Sequence, residues 1–341
     1  MKVLVTGGAG FIGSNFVRFL LNARRDLEIV NFDKLTYAGN PESLADIAQD
    51  PRYRFVCGDI TDRNAVAELF GRGFDAVVHF AAETHVDRSI EDASPFLKTN
   101  ILGTHCLLEA VRNFPRARFI HISTDEVYGS APAGVKFDEE TPLDPRSPYA
   151  ASKASAEHFV AAYANTYGIS SVILRCTNNF GPFQFPEKLI PLMIANASEG
   201  KPLPVYGDGL QERDWLFVED YCRAIALALE KARMGSVYNV SSGVSQPNLK
   251  IVRTILQLLG KPDSLIQYVQ DRPGHDRRYA LDSSKIQREL GWSPQVSFED
   301  GLRKTIAWYR DNSEWLDHAR SGEYRNYYDR HYNRRSETFR S

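Results

Sequence analysis

Cysteine is scarce in this chain. Four occur in 341 residues (Cys57, Cys106, Cys176 and Cys222), far apart and never as C-x-x-C. That excludes a disulfide framework and predicts reduced thiols in a cytoplasmic setting. The eight histidines show no ligand spacing such as H-E-x-x-H, so no metal is expected. Long apolar runs are missing as well. No stretch approaches the roughly 18 residues of a membrane span. "KVLVTGG" opens directly as a strand, without the charged and apolar regions of a signal peptide. Neither sign of charge is in excess: 41 Lys and Arg stand against 43 Asp and Glu, a net charge of -2. Nucleic acid and anionic membrane are poor partners for such a surface. Internal repeats and low-complexity linkers are also lacking.

What is present is the composition of an ordinary globular protein, 43% hydrophobic and 25% charged. Its length predicts one large or two modest domains. Short runs rich in Val, Ile and Phe recur at Lys2–Thr6, Glu28–Phe32, Arg54–Cys57, Asp75–Phe80, Arg118–Ser123 and Ser171–Arg175. They lack strict alternation, as strands buried on both faces do. Helical patterns separate them, for example Phe11–Asn22, Arg63–Phe70 and Ile101–Arg112. The rhythm predicts an α/β fold, a doubly wound parallel sheet with right-handed crossovers.

After residue 176 the rhythm loosens. "NNFGPFQFPEKLIP" reads as a loop leading into a helix, and "KPLPVYGDGLQERDW" as a hairpin or turn-rich segment. Helices follow at about Val218–Lys231, Leu249–Leu259 and Phe298–Arg310. The expected division is a dinucleotide-binding domain over 1–176, to which the chain returns at about 214–243. A smaller α/β substrate domain covers most of 177–330, and 331–341 is a polar, solvated or partner-packed tail.

"VTGGAGFIG" follows the first strand and opens the first helix, with Gly7, Gly10 and Gly13 in G-x-x-G-x-x-G spacing. Glycines there permit a tight turn and let backbone N–H groups approach a pyrophosphate at a helix N-terminus. Asp33 ends the second strand, twenty residues past Gly13. A carboxylate at that point bonds ribose hydroxyls and repels a 2′-phosphate, which favours NAD over NADP. Lys34 is the one nearby residue that points the other way. Asp59, after the third strand, is placed to accept from an adenine amino group or to cap the next helix. Ala81 and Ala82, after the fourth strand, let the backbone run close to a cofactor, or serve helix–sheet packing.

Ser147-Pro148 is a cap followed by a proline suited to a first helical turn. Tyr149 and Lys153 then share one face of that helix. A nearby ammonium lowers a phenol's pKa, so Tyr149 is a candidate base for a hydroxyl that loses hydride.

These motifs, with Ser123 and Thr124 upstream, resemble the extended short-chain dehydrogenase/reductase superfamily over nearly the whole chain. More narrowly, "DKLTYAGN", "HFAAETHVDRSIED", "STDEVYG", "YGDGLQERDW" and "DRPGHDRRYALD" look like the dTDP-glucose 4,6-dehydratase family. The resemblance implies a Rossmann fold of the extended type and a tightly bound NAD recycled within each turnover. It implies NAD contacts from Phe11, Ile12, Thr36, Ile60, Thr84, Thr99 and Asn179, besides the residues already named. It also gives a purpose to the two adjacent carboxylates in "STDE". Asp125 would be the acid that protonates the leaving C6 hydroxyl, and Glu126 the base that takes the C5 proton. Thr124 would hydrogen-bond the reacting sugar, with Tyr149 and Lys153 completing the catalytic set. Adjacent strand residues point to opposite faces, so both carboxylates reach one substrate only if the strand ends at Thr124.

By the same resemblance the substrate contacts are His85, Asn178, Lys188, Leu189, Pro204, Tyr206, Arg213, Asn248, Arg272 and His275. Lys188 and Arg213 suit a diphosphate, and Tyr206 suits stacking on a pyrimidine. Ser241-Ser242 departs from the family's usual glycines and puts the pocket near the nucleotide in question. The competing readings are a UDP-glucose 4-epimerase-type isomerase, which has no need of Asp125 and Glu126, another nucleotide-sugar dehydratase, and an NAD-binding scaffold. The resemblance further implies a homodimer joined through the Tyr149 helix and the segment at about Pro95–Arg112.

Overall fold

The computed structural model describes residues 1–114, 116–271 and 274–320. Seven parallel strands form the main sheet: β1 (Lys2–Thr6), β2 (Glu28–Asp33), β3 (Tyr53–Cys57), β4 (Ala76–His79), β5 (Arg118–Thr124), β6 (Ser171–Cys176) and β10 (Val237–Val240). Their order is β10-β6-β5-β4-β1-β2-β3. Val and Ile dominate because helices cover both faces. One face packs Phe16, Val17, Leu20, Tyr221, Ile225 and Trp292, and the other Phe70, Leu107, Val111 and Val160. The strand order reverses between β1 and β4, which opens a crevice at the carboxyl ends of these strands, where such folds bind ligands.

The second part of the chain builds two small sheets. β9 (Glu212–Phe217) lies between β7 (Asn178–Phe180) and β11 (Ser245–Pro247), and β8 (Leu203–Tyr206) pairs in parallel with β12 (Ile266–Val269). Of the two readings of 201–215, the turn is present at Gly207–Gly209 and the hairpin is not. β8 and β9 lie in different sheets, because each finds its partner far away in sequence. The expected loop at 178–191 contains β7 before the helix Leu189–Ser198 begins. A separate core of Phe180, Met193, Trp215, Ile251, Ile255, Leu302 and Trp315 holds this part together. The expected helix at Ile101–Arg112 starts earlier, as a π turn over Leu97–Gly103 that runs into Thr104–Arg112.

Asp220 ties the late chain to the sheet. Its buried carboxylate accepts from the backbone N–H groups of Gln295 and Val296, both at 3.0 Å, and its carbonyl accepts from Trp292 Nε1. Asp220→Ala leaves two backbone donors unpaired, at about 1–3 kcal/mol each. The expected loss is about 2–5 kcal/mol in urea unfolding; a loss below about 1 kcal/mol would show that water replaces the carboxylate there.

Candidate active site

The helix Pro148–Tyr167 starts where its sequence says it must. Ser147 Oγ accepts from Ala150 N at 3.1 Å, Pro148 occupies the first turn, and Gly168 ends the helix in the left-handed region. Tyr149 and Lys153 thereby face the carboxyl end of β5 and line the crevice. β5 ends at Thr124, and a 3-10 turn, Asp125–Tyr128, follows at once. The Thr124 hydroxyl caps that turn through Glu126 N. Strand alternation stops there, so Asp125 and Glu126 both line the same crevice.

Burial, then the neighbouring Glu126 carboxylate, pushes Asp125 well above the usual carboxylate range. One of its oxygens accepts from Thr124 at 3.2 Å, and the other is buried without a partner. Burial and the adjacent carboxylate thus favour the protonated form of Asp125, the form a general acid needs. Tyr279 donates to Asp276 at 2.8 Å, and its hydroxyl lies 3.5 Å from Glu126. Two acidic groups with unlike surroundings, facing one cavity, are the arrangement acid–base elimination needs.

Tyr149 corrects an expectation. Its phenol is raised well above its ordinary value, first by burial and then by Glu126. Lys153 Nζ donates instead to Ile122 O at 2.7 Å, and burial pulls that ammonium down to about 8 against the upward pull of Glu157.

The crevice, about 290 Å3, is lined by the glycine turn and by Asp33, Lys34, Thr36, Asp59 and Ile60. It is also lined by Phe11, Ile12, Ala81, Ala82, Thr84, Thr99 and Asn179. All the cofactor residues expected from sequence are brought together here. Gly7 has φ +72°, and a Cβ there would lie 2.5 Å from Ala81 N. The helix Phe11–Ala23 has no side chain capping its start, which leaves its N–H groups for a pyrophosphate. Asp33 accepts from Ala9 N at 2.9 Å and Leu35 N at 2.8 Å, so it also holds the glycine turn. Asp59 pairs with Lys34 at 2.8 Å, which neutralises the one cation that spoke for NADP. The cap of the next helix is Asp62, not Asp59. These residues fit a dinucleotide with free ribose hydroxyls. Gly13→Ala would set a methyl 2.8 Å from Gly8 Cα and nearer still to Gly7 O. The variant should cost about 1–3 kcal/mol of stability and leave purification depleted of dinucleotide. Full dinucleotide content, measured after acid release, would sink that expectation.

A second cavity of about 180 Å3 adjoins the first, sharing Thr84, Glu126, Asn178, Gln184, Glu187 and Lys188 with it. His85, Leu189, Pro204, Tyr206, Arg213, Asn248 and His275 line it. Thr124 stands in the first cavity, beside the junction. Arg272 lies outside the described residues. Arg213 is buried rather than solvated, donates to Asp276 O at 2.9 Å and stacks 4.1 Å from the Tyr279 ring. His275 pairs with Asp271 at 2.6 Å, and Lys188 donates to Thr84 O at 3.0 Å. Carbonyl oxygens of Asn178, Asn248 and Gln184 are buried without hydrogen-bond partners, as befits a polar ligand's surroundings.

Ser241 and Ser242 line neither cavity. Their hydroxyls donate to Asp214, each at 2.7 Å, and Gly243 N adds a third bond at 2.9 Å. Their hydroxyls hold a buried carboxylate outside both cavities. Sequence reasoning missed Gln184, Glu187 and Tyr279. Burial raises Glu187, which accepts from the Tyr37 hydroxyl at 3.2 Å, and Arg88 lies 3.8 Å over the Tyr37 ring. Only its place beside Lys188 in "FPEKLIP" marked it.

Residues 4–305 match the family model of GDP-mannose 4,6 dehydratase. The chain is 50% identical to dTDP-glucose 4,6-dehydratase 1 of Escherichia coli K12, over 97% of this chain and 99% of that protein. It is also similar to DesIV, a dTDP-glucose 4,6-dehydratase from Streptomyces venezuelae solved with NAD bound. There the TM-score is 0.91 at 50% identity, covering 94% of this chain and 100% of that one. A Thermus thermophilus UDP-glucose 4-epimerase in complex with NAD superposes at TM-score 0.85 and 34% identity, covering 92% and 100% of the two chains.

Proposed function

The chain belongs to the dTDP-glucose 4,6-dehydratase family, and from that premise we propose how its residues divide the work of the reaction. It converts dTDP-glucose to dTDP-4-keto-6-deoxyglucose by oxidation at C4, loss of water across C5 and C6, and reduction at C6. NAD, when bound, supplies the reversible oxidant, and the two redox steps balance within one turnover.

Tyr149, acting as its phenolate, takes the proton of the C4 hydroxyl, with Thr124 beside it as hydrogen-bonding partner. The C4 ketone acidifies the C5 hydrogen, which Glu126 removes. Asp125 gives its proton to the departing C6 oxygen. Lys153, anchored on Ile122, orients the nicotinamide ribose. Gly7, Gly10 and Gly13 take the pyrophosphate, and Asp33 the adenosine ribose. In the second cavity Lys188, Arg213, Asn248 and His275 hold the diphosphate, and Tyr206 packs against the base.

The observation that carries this reading is the buried Asp125 carboxyl, raised well above the usual carboxylate range beside Glu126, in one crevice with Tyr149. A 4-epimerase has no step for such a pair. The deciding measurement is proton NMR of the purified enzyme with dTDP-glucose in heavy water, without added NAD. The expected product carries a C6 methyl group and deuterium at C5. A galactose product without a methyl would overturn the assignment of Asp125 and Glu126.

The same reading divides the chain into a cofactor domain, 1–176 with later returns, and a sugar-nucleotide domain. No helix among the described residues is long and apolar enough to cross a membrane. A cytoplasmic location accords with the free thiols of Cys57, Cys106, Cys176 and Cys222. A homodimer accords with the exposed Leu97, Leu102 and Phe159 on the π turn and the Tyr149 helix.

A further inference from the structure

We propose that the buried Glu157–Arg175 ion pair is a clamp that holds the catalytic turn from behind, making both residues positioning residues for the elimination. The proposal rests on the assignment of Asp125 and Glu126 given above. Glu157 and Arg175 line neither cavity, so they act only through others.

The clamp grips both ends of one short segment. At its start the Ser123 hydroxyl donates to Glu157 Oε1. At its end Arg175 Nη1 donates to the Tyr128 hydroxyl at 2.5 Å, with the guanidinium 4.8 Å over the Tyr128 ring. Between them lie Thr124, Asp125 and Glu126. The two grips are joined by a forked ion pair, Arg175 Nε and Nη2 to Glu157 Oε2 at 2.9 and 2.7 Å. Arg175 sits on β6 directly opposite Ser123 on β5. Glu157 sits one helical turn beyond Lys153. One pair therefore fixes the acid, the base and the Tyr149–Lys153 face in a common frame. The far side is also tied down, since Tyr128 donates to Asn239 at 2.9 Å on β10.

Energetics point the same way. A buried ion pair repays its desolvation poorly, and apolar residues of similar volume are often as stable or more so. A fold that needed only stability has cheaper ways to fill this space. Geometry is what a forked, charge-assisted pair supplies.

The test compares Glu157→Gln, Arg175→Lys and the double variant Glu157→Leu/Arg175→Met, each with its resident NAD, against the wild type on dTDP-glucose. Both single variants should lose about 10- to 100-fold in kcat, as displaced catalytic groups do. KM should change little, because the second cavity is untouched. The double variant should melt at or above the wild type and still turn over as slowly as the singles. That combination separates positioning from folding. A wild-type kcat in Arg175→Lys or in the folded double variant overturns the clamp. So does a loss fully explained by the unfolded fraction of each sample. Failure of the wild type to form the methyl product would overturn the functional assignment instead.

Discussion

Asp125→Asn should lower kcat by about 10²- to 10⁴-fold, the usual range for a positioned acid, and should at the same time raise the melting temperature. The two effects have one cause. Asp125 is buried beside another carboxylate and holds its proton well above the usual range. The unfolded chain releases that proton near pH 4. Below that pH both states are protonated, and parent and variant melt alike. As pH rises, the unfolded chain gives up its proton while the folded chain keeps it, so the parent loses stability across this window. Asparagine has no proton to lose, so its advantage grows with pH and levels off above the raised pKa. Melting both proteins at pH 4.5 and pH 8 checks the sign. A difference that stays constant would show that the carboxyl is not strained in the fold. Such a gain at the expense of turnover is expected where a site stores unfavourable charge.

Tyr149→Phe should lose turnover over the same range of about 10²- to 10⁴-fold, but at a different step. Deuterium exchange tells the two apart. In Asp125→Asn, Tyr149 and Glu126 remain, so the C4 ketone forms and solvent deuterium enters C5 of the recovered substrate. In Tyr149→Phe the C4 proton has no acceptor, C5 is never acidified, and no exchange occurs. Exchange at the parental rate in Tyr149→Phe would move the base role to another group. Burial and the Glu126 carboxylate raise the Tyr149 phenol, so positive charge beside it is what would ease the loss of its proton.

Much of the first half was legible because buried parallel strands write themselves as runs of Val, Ile and Phe. The helix of Tyr149 was legible for another reason, since Ser147, Pro148 and Gly168 punctuate both its ends. Beyond residue 176 local signals failed. Gly207 and Gly209 mark a real turn, both with positive φ, but turn chemistry cannot say which strand pairs with which. β8 found β12 and β9 found β7 and β11 through packing alone. The site divides similarly. Glycine spacing and the Tyr149–Lys153 pair are local patterns. The Tyr279 contact to Glu126 and the Arg175 fork on Glu157 join distant residues, and no spacing announces them. The exit of Asp125 from strand alternation was posed by the sequence as a condition. Only the turn at Asp125–Tyr128 meets it.

The place of β10 beside β6 sets a timetable for the newborn chain. β6 is buried along its whole length, yet one of its two flanks is covered only by Val237–Val240, which emerge about sixty residues later. At about 5–20 residues per second that is a delay of about 3–12 seconds during synthesis. Until then β6 is an unpaired hydrophobic edge, open to wrong partners. A ribosome stalled near residue 180, or a gene cut at the apparent boundary after Cys176, would release a sticky fragment rather than a working cofactor domain.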